Sequence, residues 1–190
     1  RFLDTVFDAA PCAVSIKTRL GLREPEEFGP LLALFQRYPL AELIVHPRVQ
    51  KDMYKNTPRR AYFARALADS PFPVCYNGDL YTVPALEAFQ AEFPAAERIM
   101  LGRGLAGDPA LARKAEGGPA AGREELRAFH DQVYEGYAGA FGSRRNAMLR
   151  MKELWSYLIH LFRDPESYAK KLRKAADPAE FEALTAGMFR

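Results

Sequence analysis

Four short runs rich in apolar and β-branched residues recur along the first half of the chain: AVSIK (13 to 17), ELIVH (42 to 46), PVCYN (73 to 77) and ERIML (97 to 101). They start 29, 31 and 24 residues apart. The segments between them, PEEFGPLLALFQRY, PRRAYFARALAD and VPALEAFQAEF, repeat apolar residues at intervals of three and four, the helical period. Thr57-Pro58 reads as an N-cap followed by a proline at the first helical position, where its missing N–H costs nothing. Strands and helices alternating at this spacing predict a parallel sheet with helical crossovers. The runs are apolar on both faces, as expected where helices cover one side and a core the other.

The polar groups gather at one end of these runs. Lys17 ends the first, His46 the second, Asn77-Gly78-Asp79 the third and Gly102-Arg103-Gly104 the fourth. Carboxyl ends of parallel strands are where α/β folds bind ligands, because the loops and helix N-termini there offer unpaired N–H groups and positive dipole ends. Asn77-Gly78-Asp79 is either a hairpin turn or the lip of a pocket. No strand of matching alternation follows it, which favours the pocket. Lys17 is either a solvated cation or a donor to a carbonyl or ring nitrogen of an anionic cofactor. His46 is either a satisfied structural residue or a site residue, and without a second His or Cys at ligand spacing it does not indicate a metal.

GRGLAG (102 to 107) matches G-x-G-x-x-G after a strand, but no later strand with an acidic tip follows, so the dinucleotide-binding context is missing. What remains is glycine backbone that lets a phosphate approach closely, with Arg103 as a charge-assisted donor. A phosphate site after the last strands is the usual arrangement in a (β/α)8 barrel. From EGGPAAG (116 to 122) the pattern changes, and this stretch reads as a boundary between residues 1–116 and 117–190. The second part is helical in pattern, with starts marked by Asp164-Pro165 and Asp177-Pro178. Met148, Met151, Trp155, Leu158 and Phe162 step by three and four along one helix face, the signature of a bundle core. Arg145 and Lys152 share a side of the same helix, either as a solvated flank or as a phosphate-contacting ridge.

With 190 residues, 48% apolar and 27% charged, the chain has enough apolar side chain for a core and is too apolar for disorder. A net charge of +3 admits an anionic partner without the single-sign field of a dedicated nucleic-acid binder. Cys12 and Cys75 suggest neither a disulfide framework nor a zinc site, so the default setting is reducing and cytoplasmic. Asp4 and Asp8 interrupt the first apolar stretch, and no run approaches membrane-spanning length. The chain lacks an initiator Met and opens in what reads as mid-helix, so a fragment of a longer protein is expected.

Taken together, VSIKTRLG, IVHPR with Tyr54 eight residues after the histidine, PVCYNGD and IMLGRG resemble the tRNA-dihydrouridine synthases, flavoenzymes that reduce uridine in tRNA to 5,6-dihydrouridine. The resemblance covers nearly the whole chain. It implies an α/β fold: the C-terminal half of an FMN-binding (β/α)8 TIM barrel, then a small all-helical tRNA-binding domain. It implies that Lys17 and His46 contact the flavin, that Asn77, Gly78, Asp79, Gly102 and Arg103 hold its ribityl phosphate end, and that Arg19 and Tyr54 face the target uracil. NADPH is the implied reductant, tRNA the partner, and neither a metal nor a membrane is involved. The family's proton-donating cysteine matches neither Cys12 nor Cys75. It and four further strands are expected before Arg1, leaving these residues alone inactive. Two other readings stay open: a different FMN-dependent TIM-barrel oxidoreductase, and a non-catalytic RNA-binding module.

Overall fold

The computed structural model describes residues 1–190. The chain divides into two compact units, one of residues 1–80 and 85–102, the other of residues 81–84 and 103–190. No helix is long and apolar enough to cross a membrane.

The first unit runs α1 (Phe2–Ala9), β1 (Ser15–Arg19), α2 (Phe28–Phe35), β2 (Glu42–His46), α3 (Arg60–Asp69), β3 (Val74–Asn77), α4 (Val83–Glu92) and β4 (Arg98–Met100). The strands form one parallel sheet in the order β1-β2-β3-β4, so every carboxyl end lies on the same edge. The alternation of helical and β periods in the sequence thus corresponds to an α/β parallel sheet, and no hairpin follows Asn77.

Strand alternation separates two faces. Leu43, Val45, Val74 and Tyr76 are buried on one. There the Tyr76 ring lies 5.0 Å from that of Phe63 on α3 and 4.2 Å from that of Phe89 on α4. The other face carries Lys17, Ile44, Cys75 and Arg98 as one register layer, then Arg19 paired with His46 and Asn77 paired with Met100 toward the carboxyl edge. It is not wholly apolar, contrary to the sequence expectation: Arg98 and Glu42 form an ion pair at 3.0 Å across it, and Ile44, Cys75 and Met100 are its apolar members.

Lys17 does not end its strand. The ladder with β2 continues through Thr18 and Arg19, because His46 pairs with Arg19 and Ile44 with Lys17. Beyond the strands the two loops zip together: the Leu20 N–H donates to the Arg48 carbonyl (3.0 Å), that of Gln50 to Gly21 (2.9 Å) and that of Lys51 to Leu22 (3.0 Å). Gly21 is required here, since its φ is +155° and a β-carbon would lie 2.6 Å from that of Glu27. The Glu27 carboxylate in turn accepts from the N–H groups of Leu22, Arg23 and Glu24.

Thr57 does not cap α3. The helix starts at Arg60 with no side-chain cap, because the Arg59 N–H is committed to the Pro47 carbonyl (2.7 Å) and its guanidinium to Asp52. Asp52 is the hub of the loop after β2. Buried, it accepts from the Val49 N–H (3.1 Å), Asn56 Nδ2 (2.6 Å) and Arg59.

The second unit also takes in residues 81–84, which include the first two residues of α4, and its residues 103–190 are built of helices: α5 (Arg103–Gly107), α6 (Leu111–Ala115), α7 (Arg123–Phe141), α8 (Arg144–Leu158), α9 (Pro165–Lys174) and α10 (Pro178–Met188). Met148, Met151, Trp155 and Leu158 line the buried face of α8, with Phe162 partly buried against them, as their spacing predicts. Asp177 caps α10 by accepting from the Glu180 N–H (3.0 Å), and Glu180 returns a bond to the Ala176 N–H (2.8 Å). EGGPAAG is the non-helical link between α6 and α7, and it lies inside this unit. Arg113 bridges it, donating to the Pro119 carbonyl (2.9 Å) and forking onto Glu125 (2.8 and 2.9 Å).

Two predictions follow from the packing. Met151→Ala removes a fully buried side chain from the α8 core and should cost about 2–5 kcal/mol in denaturant unfolding, whereas Leu149→Ala, on the exposed face, should cost little. Asp52→Asn should cost about 1–3 kcal/mol by weakening three acceptor contacts. Hydrogen bonding from Arg59 holds the Asp52 carboxyl well below the usual carboxylate range. Its contribution is therefore present above the unfolded value of about 4 and fades as pH falls below it. The Asn variant should lose less stability than the parent between pH 4 and 2, and equal acid slopes would contradict that role.

Candidate functional site at the carboxyl edge of the sheet

The carboxyl edge of the first unit brings together residues from three successive strands and the loops that leave them. Lys17 stands exposed on the polar face, with its pKa lowered by partial burial of the ammonium and by the Arg19 guanidinium. One layer further on, Arg19 donates through Nη1 to the carbonyls of Val49 (3.0 Å) and Met53 (3.1 Å), and its guanidinium lies 5.4 Å from the Tyr54 ring. The Tyr54 ring, itself largely exposed, stacks on His46 at 6.2 Å between centroids. Arg19 therefore shapes the loop that carries Tyr54.

His46 is buried, and its pKa is pushed down to about 4 by burial first, then by Arg19, Lys17 and Arg48, with Asp79 partly opposing. Imidazole is neutral at physiological pH under those conditions. Asn77 Nδ2 donates to the Met100 carbonyl (2.8 Å) and ties the ends of β3 and β4 together. Gly78 follows, and a β-carbon there would fall 2.2 Å from the Tyr76 hydroxyl oxygen. Tyr76 is wholly buried between Phe63 and Phe89 and cannot retreat, so only glycine fits.

Arg48 is the residue that sequence reasoning missed. It is 1% exposed, and its whole guanidinium is used inside the protein. Nη1 donates to Asp79 Oδ1 (2.8 Å) and lies 3.3 Å from His46 Nε2, Nη2 donates to Asp79 Oδ2, and Nε donates to the Asn56 carbonyl. Both Asp79 oxygens are thus held by Arg48. In sequence Arg48 looks like a solvated charge after Pro47; the signal that could have flagged it is the H-P-R string beside N-G-D, two short polar groups at adjacent strand ends.

Gly102 follows β4 with open space where a β-carbon would stand, so nothing inside the protein demands glycine there. Arg103 opens α5, with its guanidinium 5.3 Å from the Tyr81 ring. In the second unit Arg145 is exposed on α8. Lys152 is not free to act as its ridge partner: Nζ donates to the carbonyls of Ala175 (2.6 Å) and Arg173 (3.3 Å) and so holds the C-terminal end of α9. The exposed cations that do cluster are on α9 itself, Lys170, Lys171, Arg173 and Lys174, and sequence reading passed over them. No group of three or more metal-ligating side chains stands together. Cys12 is exposed ahead of β1. Cys75 is buried within β3, its thiol pushed up to about 11 by burial.

The comparisons agree on one family. The family model for dihydrouridine synthase (Dus) matches residues 1–186. The tRNA-dihydrouridine(16) synthase of Pseudomonas putida is 28% identical over 176 residues, 90% of this chain and 54% of that protein. The tRNA-dihydrouridine(16) synthase of Cupriavidus necator is 32% identical over 119 residues, 62% of this chain and 37% of that protein. One from Pseudomonas syringae pv. tomato is 32% identical over 101 residues, 53% of this chain and 32% of that protein. The chain spans about half the length, or less, of the curated relatives it matches. With a parallel α/β sheet whose polar groups gather at the carboxyl edge, and a family match over almost every residue, the chain belongs to the dihydrouridine synthase family.

Proposed function

We propose that this chain supplies the flavin-binding carboxyl edge and a tRNA-contacting helical region of an FMN-dependent tRNA-dihydrouridine synthase, with the four strands forming half of a (β/α)8 barrel. The observation that carries the reading is the gathering of Lys17, Arg19, His46 and Asn77 on one polar face, at the carboxyl side of adjacent parallel strands. The residues present suit FMN. Lys17 offers a cation and His46 a ring N–H to the carbonyls and ring nitrogens of an isoalloxazine. Gly102 leaves room for a phosphate to approach the backbone, and Arg103 offers a planar donor fork beside it. Asp79, with both oxygens held by Arg48, fits a supporting role at the ribityl end better than direct contact with a phosphate, which would repel it. FMN held there would, once reduced by NADPH, supply the hydride for the uracil double bond. Arg19 and Tyr54 frame the space where a flipped-out base would stack and hydrogen-bond.

The proton that completes the reduction does not come from this chain on this reading. Cys75 sits mid-strand with a raised pKa, and Cys12 lies before β1, away from the carboxyl edge. The 190 residues should therefore bind FMN weakly and not turn over. The same reading sets the protein in the cytoplasm with its tRNA. Position 16 is the candidate target, since the matched relatives are tRNA-dihydrouridine(16) synthases.

Titrating FMN against the chain and following flavin fluorescence should give saturable quenching that Lys17→Met weakens about tenfold; absence of saturation at millimolar protein, or no effect of the substitution, would overturn the flavin reading. For tRNA, binding should weaken steeply with salt, by a factor of about 10^0.9 per phosphate contact for each tenfold rise in salt at most. Lys170→Glu with Lys174→Glu should lower affinity and flatten that slope, and an unchanged slope would remove α9 from the interface.

A further inference from the structure

We infer that Arg48 is a positioning residue: its guanidinium, anchored on Asp79 and the Asn56 carbonyl, donates to His46 Nε2 and so locks His46 as a neutral Nδ1–H donor. This rests on the flavin reading only for the identity of the ligand. It goes beyond that reading by assigning a proton position and by limiting what His46 can meet.

The argument is one of donors and acceptors. Arginine has no acceptor and does not lose its proton in proteins, so the 3.3 Å approach of Nη1 to His46 Nε2 requires a lone pair on Nε2. The single imidazole proton then resides on Nδ1. The ring nitrogen that Arg48 meets is Nε2, which leaves Nδ1–H as the donor His46 can turn toward a ligand. A second proton on the ring would have to displace Arg48, which is buried and gripped from two other sides. The charged and titratable groups around the ring point the same way. Lys17 and Arg19 approach from β1, Arg48 from the segment after β2, and only Asp79, already neutralised by its fork with Arg48, opposes them. Tyr54 stacks on the ring and restrains its plane.

The consequence is chemical. His46 presents a hydrogen-bond donor and no acceptor, so the ligand atom that meets it is a carbonyl oxygen or an unprotonated ring nitrogen of a flat heterocycle. It is not an N–H or O–H, and His46 is not a proton donor in the reaction. Arg48 touches neither ligand nor reacting atoms; it acts through His46 and Asp79.

The test uses imidazole nitrogen and carbon NMR shifts of the chain. It has three histidines, His46, His130 and His160, so His46→Gln assigns the signal. In the parent, His46 should hold the Nδ1–H tautomer from pH 8 down to about pH 5 and titrate near pH 4. Arg48→Gln should mix the tautomers and raise the midpoint, and Arg48→Lys, which keeps charge and one donor, should restore part of the Nδ1–H population. Asp79→Asn removes the only anion and should move the midpoint the opposite way. Should Arg48→Gln not fold, the Arg48→Lys and Asp79→Asn pair still carries the test. An Nε2–H tautomer in the parent, unchanged His46 signals in the Arg48 variants, or midpoint shifts of one sign in both positions would overturn the inference. FMN titration of the same samples separates the two claims: a parent that fails to bind FMN overturns the flavin reading and leaves the tautomer result standing.

Discussion

The carboxyl edge of the sheet depends on one buried cation. Arg48 joins what leaves β2 to what leaves β3 through its fork on Asp79, and closes the loop between them through the Asn56 carbonyl. A buried guanidinium is tolerable only when its donors are satisfied and its charge is matched, and here both conditions are met by groups 8 and 31 residues away in sequence. Removing either partner would leave an uncompensated charge inside the molecule. The loop geometry, the exposure of Tyr54 and the orientation of His46 therefore stand or fall together, which is the kind of preorganisation a binding edge needs.

The strand layout was legible because periodicity carries it. ELIVH corresponds residue for residue to β2, and PVCYN and ERIML each fall within a residue or two of β3 and β4. The first strand was misjudged because apolar composition ends at Lys17, whereas the ladder is set by register with β2 and runs on through two polar residues. Which residues share a face was also hidden: AVSIK and ELIVH look apolar throughout, and the polar face emerges only when Lys17, Arg19, Glu42 and Arg98 are set side by side. The start of α3 illustrates a tertiary override. Thr57-Pro58 is a sound local signal, but the commitment of Arg59 to Pro47 and Asp52 keeps the chain extended for two more residues.

Side-chain pairs distant in sequence were the illegible part of the site. Nothing local distinguishes Arg48 or Asp52 from solvated surface charges, since their partners are loop groups whose positions follow from the fold. The helical region shows the same limit. The α8 core was visible as a stripe at three and four, while Lys152 on its flank resembled a free cation and in fact holds the end of α9. The Gly-rich link at 116 to 122 lies inside a compact unit that includes residues 103–190, and Arg113 and Glu125 join the helices on either side of it, a pairing that local composition does not reveal.

The claim at the centre of this account is that one edge of one sheet, prepared by Arg48, receives a flavin mononucleotide. Amide hydrogen exchange of the chain with and without excess FMN measures that directly. Slowed exchange within the first unit at residues 17–22, 46–56, 77–80 and 102, with the amino edge of the sheet unchanged, is the predicted result. Protection at the amino edge, or no protection at FMN concentrations that quench its fluorescence, would contradict it.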